Sequence, residues 1–501
     1  MKARKPTIRL VSDPIAALDG AVPEQVRRVC ARLHNAGHEA YIVGGCVRDV
    51  MLGREPKDWD VATSATPDQV MVTFDKTIPT GIKHGTVTVL VSSDGGRLAD
   101  RSRDEVGSKP ASEPAQDHRN GSNGKASRGF RIPVEVTTFR GEGAYSDGRR
   151  PDKVIFGVPL REDLARRDLV INAMAFDPVA RRLADPFGGA DDLASKRIRA
   201  VGDPRERFSE DGLRVMRAVR FAAVLEFELD PDTEAAIEPC LPVLAQVSRE
   251  RVRDELIKML AAREPSRGVI IARRTGILHA ILPELDFKPP SAYTEEGETY
   301  PGDYSDDDPR WTSTVLRVDY PTDPGMRMAG LLYGTPELLP ASSDDANPLR
   351  RLKFSNADIE RIDRVVRFAR RDLPDFGAQA RRALGRLGRQ YLTDVCTLWR
   401  SECWALLDPV ETGQPRDFTA SEHIAAFIDW VETVRDRGDP LTTSELAITG
   451  GDVMRELGIE PGPLVGRILG GLLDRVLEDP FINDPGTLAQ LAREIHGELT
   501  A

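Results

Sequence analysis

The chain has 501 residues, is 40% hydrophobic and 30% charged, and carries a net charge of −11. It is too long for a single core, and about three or four domains are expected. No stretch approaches eighteen consecutive apolar residues, which excludes a membrane-spanning helix, and the acidity argues against nucleic-acid binding by the surface as a whole, because phosphate contacts rest on Lys and Arg. The five cysteines (Cys30, Cys46, Cys240, Cys396, Cys403) form no Cys-x-x-Cys pair and no disulfide-like framework. They suggest a reducing compartment, and the N-terminus has no apolar signal region, so a cytoplasmic location is expected.

After an N-terminal extension (1–23), the pattern alternates between helices and short strands to about residue 200. Val26, Val29, Cys30 and Leu33 mark a helix face, and strands are expected at Ala40 to Val43, Trp59 to Ala62, Thr86 to Val91 and Ile132 to Thr138. Between the last two strands, residues 92–129 are rich in Gly, Ser, Asp and Arg and have no aromatic residue. Such a segment cannot bury enough apolar surface to offset its ordering entropy, so a disordered insertion is expected. Helices dominate after about residue 205, at Glu210 to Val224, Arg249 to Leu260, 324–333, 356–371 and 376–405, with a last set over 418–499. The acidic stretch 293–311 marks a boundary, so the expected segments are 24–200, 201–290, 291–415 and 416–501. The fold class is α+β, a mixed head followed by helical segments.

In YIVGGCVRDVMLGREPKDWDVAT, Asp58 and Asp60 lie one residue apart. On a strand, residues i and i+2 share a face, so both carboxylates can converge on one site. Upstream, Gly44-Gly45 ends an apolar run and opens a short helix carrying Arg48. Asp-x-Asp alone also fits a solvated strand edge; with the glycine turn and the arginine it reads as a metal-dependent nucleotidyl-transfer site. Mg²⁺ prefers hard oxygen donors, so Asp58 and Asp60 are the expected ligands. Glu135 in VEVTTFR is the best third carboxylate, with Asp49 and Asp147 as alternatives. In DLARRDLVINAMAFDP, Arg167 suits a triphosphate, and Asp168 and Asn172 suit a ribose hydroxyl. A helix-terminal Arg-Asp surface pair is the competing explanation. In SEDGLRVMRAVRF, Asp211 and Arg214 lie three apart on one helical face, continued by Arg217 and Arg220. Acceptor and forked donor together can imitate a Watson–Crick edge, or simply form an intrahelical salt bridge.

These motifs occur in a distinctive order. GGCVRD, DWD, EVTTFR, ARRDLVINAMA, DPFGGADDL, EDGLRVMRAVRFA and RERVRDELIKML resemble the class II nucleotidyltransferases, the tRNA CCA-adding enzyme and bacterial poly(A) polymerase family, over roughly residues 24–285. The resemblance implies a polymerase-β-like nucleotidyltransferase head followed by all-α neck, body and tail. It implies a catalytic metal pair at Asp58 and Asp60, triphosphate contact from Gly45, Arg48 and Arg167, and ribose contact from Asp168. It gives base recognition to Asp211 and Arg214, supported by Arg217 and Arg220. The partners implied are CTP, ATP and a tRNA 3′ end, with no membrane and no protein partner.

PTGIKHGTVTV (79–89) and EGAYSDGRRPDKVIF (142–156) look like the CCA-adding branch, with residues 142–150 as a mobile element that switches one pocket from C to A. Poly(A) addition, or addition of only CC or A, is the alternative. A binding protein with a vestigial site would need a missing carboxylate, and both Asp58 and Asp60 are present. LKFSNADIERIDRVV and the segment from LGIEPGPLVGRIL onward resemble CCA enzymes with an appended HD-type phosphohydrolase region. That region is degenerate here: Tyr333-Gly334 stands where His-Asp is expected, and no histidine occurs between His279 and His423. His84 in the KHGT run suits a local loop hydrogen bond or nucleotide handling. Residues 350–389 hold twelve Lys or Arg against five Asp or Glu. Arg364, Arg367 and Arg371 are therefore candidate RNA contacts, or part of a solvated helix face.

Overall fold

The computed structural model describes residues 10–92, 131–142, 154–285, 309–335, 339, 346–407 and 418–500. The expected insertion at 92–129, Asp147, the segment 142–150 and the acidic stretch 293–311 lie outside the described residues except at their edges. The chain separates into two compact units, Met1–Glu210 and Asp211–Ala501. Among the described residues no helix is long and apolar enough to cross a membrane.

The first unit is built on a sheet. Its strands are β1 (Ala40–Val43), β2 (Asp60–Thr63), β3 (Thr77–Gly81), β4 (Thr86–Ser92), β5 (Arg131–Thr138), β6 (Arg140–Glu142), β7 (Val154–Phe156), β8 (Ala175–Asp177) and β9 (Arg182–Ala184). Seven of them form one sheet in the order β3-β4-β5-β2-β1-β8-β9, and β6 pairs with β7. β2 runs parallel to β5, and the other described pairs of this sheet are antiparallel. Every residue of β1 is buried. Tyr41 and Val43 join Ala62, Phe139, Leu164 and Ala175 in one cluster. Alternation sends Ala40 and Ile42 to the opposite face, on the side of the helix Glu24–Asn35, which buries Val26, Val29, Cys30 and Leu33. Burial on both sides explains the uninterrupted apolar run of β1.

Three expectations need correction. β2 starts at Asp60, so Asp58 precedes the strand and the shared-face argument does not apply to it directly. The helix expected from Glu210 begins at Leu213, leaving Asp211 just before it. The span 376–405 is two helices, Ala378–Leu387 and Leu392–Leu407, parted at Gly388, whose φ of 105° no continuing α-helix accommodates.

In the second unit, the helix Leu213–Leu225 packs on Arg249–Leu260 and Pro265–Arg274. Further on, Phe376, Trp399, Phe427 and Trp430 form a cluster whose contacting rings, one pair stacked and the others tilted or edge-on, have centroids 5.3–5.8 Å apart. The C-terminal helices enclose Val453, Ile468, Leu472, Val476, Leu488 and Ala492. Gly212 sits where the chain enters the helix Leu213–Leu225, and a Cβ there would lie 2.5 Å from backbone atoms of Val243 and Leu244. Its φ of −56° suits any residue, so the close approach alone demands glycine. Gly212→Ala is expected to destabilise by about 1–3 kcal/mol through overpacking, despite alanine's better helix propensity. A thermal unfolding midpoint equal to that of the parent would show that the two segments separate freely.

Candidate active site

Asp60 and Glu135 are paired in parallel register across β2 and β5, and directly paired residues leave the sheet on the same face. Asp58 stands two residues before Asp60. None of these three side chains has a hydrogen bond or ion pair among the described residues, so their oxygens keep their acceptor capacity. The Asp60 pKa is raised above the ordinary carboxylate value, first by desolvation and then by Glu135; Asp58 adds to the rise and Arg167 opposes it. Like charges gathered without a partner fit a divalent cation. Among the described residues no three His, Cys, Asp or Glu side chains converge into a closed cage. Asp49 is not part of this group, because its Oδ1 is taken by Arg48.

Beside the carboxylates lies the glycine turn. Gly44 has a φ of 84°, and a Cβ on it would sit 2.8 Å from Arg167 Nη1. Both backbone strain and the guanidinium therefore require glycine. Arg48, on the helix Gly45–Met51, is buried and donates to Asp49 Oδ1 from Nε (2.9 Å) and Nη2 (2.7 Å). Its Nη1 donates to Asn172 Oδ1 at 2.6 Å. Asn172 Nδ2 in turn donates to Asp168 Oδ1 (3.2 Å), which also accepts from the Leu169 backbone N–H (2.8 Å). Residues more than 120 positions apart are thus joined into one polar chain. Arg166 and Arg167 both pair with Asp163, at 3.0 and 3.5 Å. Asp163 is only 1% exposed, and sequence reasoning did not select it. Its signal was an acid three and four residues before two arginines on a helical turn. His84 is exposed in a short 3₁₀ turn, and its carbonyl accepts from Arg140 Nη1 at 2.5 Å.

The second unit carries the other predicted set. Asp211 accepts from the Leu213 backbone N–H (3.0 Å) through Oδ1, and its Oδ2 accepts from Arg251 Nη2 at 2.8 Å. The carboxylate is therefore held by Arg251, from the helix Arg249–Leu260, which sequence reasoning passed over inside RERVRDELIKML. Arg214, Arg217 and Arg220 follow at intervals of three, each partly buried. Arg220 Nε reaches Glu255 Oε2 at 2.5 Å, and its guanidinium lies 3.9 Å from the Phe221 ring centroid. Lys258 holds the other Glu255 oxygen at 3.0 Å. Arg364 and Arg367 are exposed on the helix Asn356–Ala369, with Arg371 exposed just beyond its end.

At the position of the expected His-Asp pair, Tyr333 is buried between two guanidinium groups. Arg317 lies 4.7 Å and Arg370 5.3 Å from its ring centroid, and its hydroxyl donates to the Ala369 carbonyl at 3.4 Å. A buried aromatic side chain, and no histidine, thus occupies this position.

Comparison with known proteins agrees with this geometry. The family described as the poly(A) polymerase head domain matches residues 40–120 and 103–199. The probable RNA and SrmB-binding site of polymerase A matches 226–288, and the tRNA nucleotidyltransferase domain 2 matches 433–492. A CCA-adding enzyme of Levilactobacillus brevis is 32% identical over 471 residues, covering 93% of this chain and 96% of that protein. One of Streptococcus sanguinis is 32% identical over 458 residues, covering 91% and 93% respectively. The crystal structure of Bacillus stearothermophilus CCA-adding enzyme in complex with CTP aligns with a TM-score of 0.64 at 27% identity, over 98% of this chain and 100% of that one. Likeness at this level along nearly the whole length of both partners, with the head motifs assembled around Asp60, Glu135, Arg48 and Arg167, means that this chain belongs to the CCA-adding enzyme family of tRNA nucleotidyltransferases.

Proposed function

We propose that this protein adds CCA to tRNA 3′ ends from CTP and ATP, without a template, by Mg²⁺-dependent nucleotidyl transfer in the cytoplasm. The observation that carries the chemistry is the parallel register that sets Asp60 against Glu135 beside Arg167. The terminal 3′-oxygen of the RNA attacks the α-phosphorus, the bond to the bridging oxygen breaks, and pyrophosphate leaves with the electron pair. Asp58 and Asp60 would hold Mg²⁺, which when bound supplies Lewis-acid stabilisation of both the attacking and the leaving oxygen. Glu135 serves the 3′-hydroxyl side. Gly45 lets phosphate approach the backbone, and Arg48 and Arg167 offer forked donors to the triphosphate. Asp168 and Asn172, already hydrogen-bonded to each other, receive a ribose hydroxyl. Asp211 and Arg214 read the base edge, with Arg217 and Arg220 supporting them. Arg251 is a positioning residue that keeps Asp211 in place. The five free cysteines support a reducing compartment.

Asp58→Ala or Asp60→Ala is expected to lower incorporation of both CTP and ATP by about a thousandfold or more, roughly 4 kcal/mol of transition-state stabilisation, while tRNA binding stays measurable. Turnover near the parent level in either variant would remove the metal assignment. Purified protein incubated with tRNA lacking its 3′ end and with each nucleotide separately decides the product. A long A tail would indicate a poly(A) polymerase, and a product ending at CC a split activity.

Asp211→Ala should reduce discrimination of CTP and ATP against UTP and GTP by about ten- to a hundredfold, the cost of about 1.5–3 kcal/mol for removing a hydrogen bond to a charged group. Arg251→Gln should shift the same selectivity ratio in the same direction, and Arg251→Lys should restore part of it. A selectivity ratio unmoved in Asp211→Ala would place base recognition elsewhere.

A further inference from the structure

We propose that the cavity between the helix Glu24–Asn35 and β4, on the far side of the first unit's sheet, binds a small organic monoanion: a planar ring or short branched chain carrying one carboxylate. The cavity has a volume of about 140 Å³, close to the roughly 150 Å³ that accommodates a benzene ring. Val29, Phe74, Val89 and Val91, all buried, give it apolar walls, and Arg28, Arg32 and Lys76 also line it. Val89 is paired with Val134, whereas Thr88 beside it is paired with Glu135. Successive residues of a strand leave the sheet on opposite faces, so the cavity lies on the face away from Asp60 and Glu135. None of its lining residues belongs to the candidate active site.

The charges around the cavity set the charge of the ligand. Arg28 Nε is paired with Glu24 at 3.0 Å, and Asp75 is the single acid among the lining residues. Glu24 and Asp75 offset two of the three cations, which leaves one positive charge for the ligand. Arg32 is the least satisfied of the three. Its side chain is 22% exposed, Asp75 Oδ1 stands 3.7 Å from its Nη2, beyond hydrogen-bonding distance, and its Nη1 is buried without a hydrogen-bond partner among the described residues. The guanidinium lies 5.4 Å from the Phe74 ring centroid, and this contact holds it over the apolar wall. Lys76 is exposed and has no acidic partner among the described residues. A buried donor left unpaired is costly, and a carboxylate answers two parallel N–H groups of one guanidinium. The valines and Phe74 disfavour a bare inorganic anion, which would give up water for a surface that returns no hydrogen bond. They match a hydrocarbon body, whose burial is favourable.

The test uses sodium benzoate as the probe, benzamide as its neutral counterpart, and inorganic phosphate as an anion without an apolar body. Ligand-observed NMR, without tRNA, gives Kd for the parent, Arg32→Gln, Arg32→Lys and Lys76→Gln, and thermal unfolding checks each fold. The parent is expected to bind benzoate with a Kd on the order of 1 mM, as suits so small a ligand, and to bind benzamide and phosphate at least about tenfold more weakly. Arg32→Gln should weaken benzoate about tenfold or more, with part of the loss recovered in Arg32→Lys, and Lys76→Gln should weaken it about three- to tenfold. Lys76 is exposed, so its variant reports on the site even where Arg32→Gln fails to fold. Parental benzoate affinity in both glutamine variants would overturn the site. Benzamide binding as tightly as benzoate, or displacement of benzoate by equimolar phosphate, would overturn the ligand class. Displacement by CTP would assign the benzoate to the nucleotide pocket instead. A parent that binds no benzoate would overturn the proposal, and binding that then appears once residues 93–130 are replaced by a short Gly-Ser linker would assign the cavity to that segment of the chain.

Discussion

Two carboxylates fixed on neighbouring parallel strands repel each other, and the head holds them there by its hydrophobic pattern. Val61, Val134 and Val136 are almost fully buried, while Asp60 and Glu135 between them are exposed. A slip of one residue between β2 and β5 would send Glu135 into the core and a valine to the surface. Burying an unpaired carboxylate costs several kcal/mol, whereas each of these valines gains roughly 1.5–3 kcal/mol by staying inside. The register is therefore over-determined, and the Asp60 pKa is raised first by desolvation and then by repulsion from Glu135. Apolar packing thus holds two like charges at the same strand register.

Within each of the two units, acidic residues act as holders of arginines. Asp49 fixes Arg48, Asp163 fixes Arg166 and Arg167, Asp211 is fixed by Arg251, and Glu255 fixes Arg220. Glu255 and Asp163 are buried, and breaking such a pair leaves an uncompensated charge that costs about 3–5 kcal/mol. These guanidinium groups are thus held in place by the fold itself, as electrostatic preorganisation requires of donors. A net charge of −11 is compatible with an anionic substrate for the same reason: many of the acids are committed to orienting cations.

What the sequence made legible follows from length of signal. β1 and the helix Arg249–Leu260 emerged with the expected bounds, because a four-residue buried run and a twelve-residue amphipathic pattern are both long enough to read. β8 and β9, three residues each, offer no alternation to detect, and β3 is largely exposed. The site motifs named Arg48, Arg167, Asp168 and Asn172 as chemistry. The hydrogen-bond chain that links Arg48 through Asn172 to Asp168 is a product of folding, as is the pairing of Asp211 with Arg251 across 40 positions. Long-range partners leave no periodicity in a single sequence. Charge pattern identified Arg364, Arg367 and Arg371, but Arg386 joined them only once the next helix was in place.

The helical unit shows how buried polar groups are absorbed into packing. An HD centre needs histidine ligands with room for ions and water, and here the chain has no histidine between His279 and His423. Tyr333 is buried here: its ring packs against Arg317 and Arg370 while the hydroxyl finds the Ala369 carbonyl. Burial, the largest effect, pushes the phenol pKa up. Arg317 is itself paired with Glu402, and Trp399 Nε1 donates to the same Ala369 carbonyl at 3.2 Å. With these polar groups committed to packing, the helix Pro324–Leu331 and the turn after it serve as core.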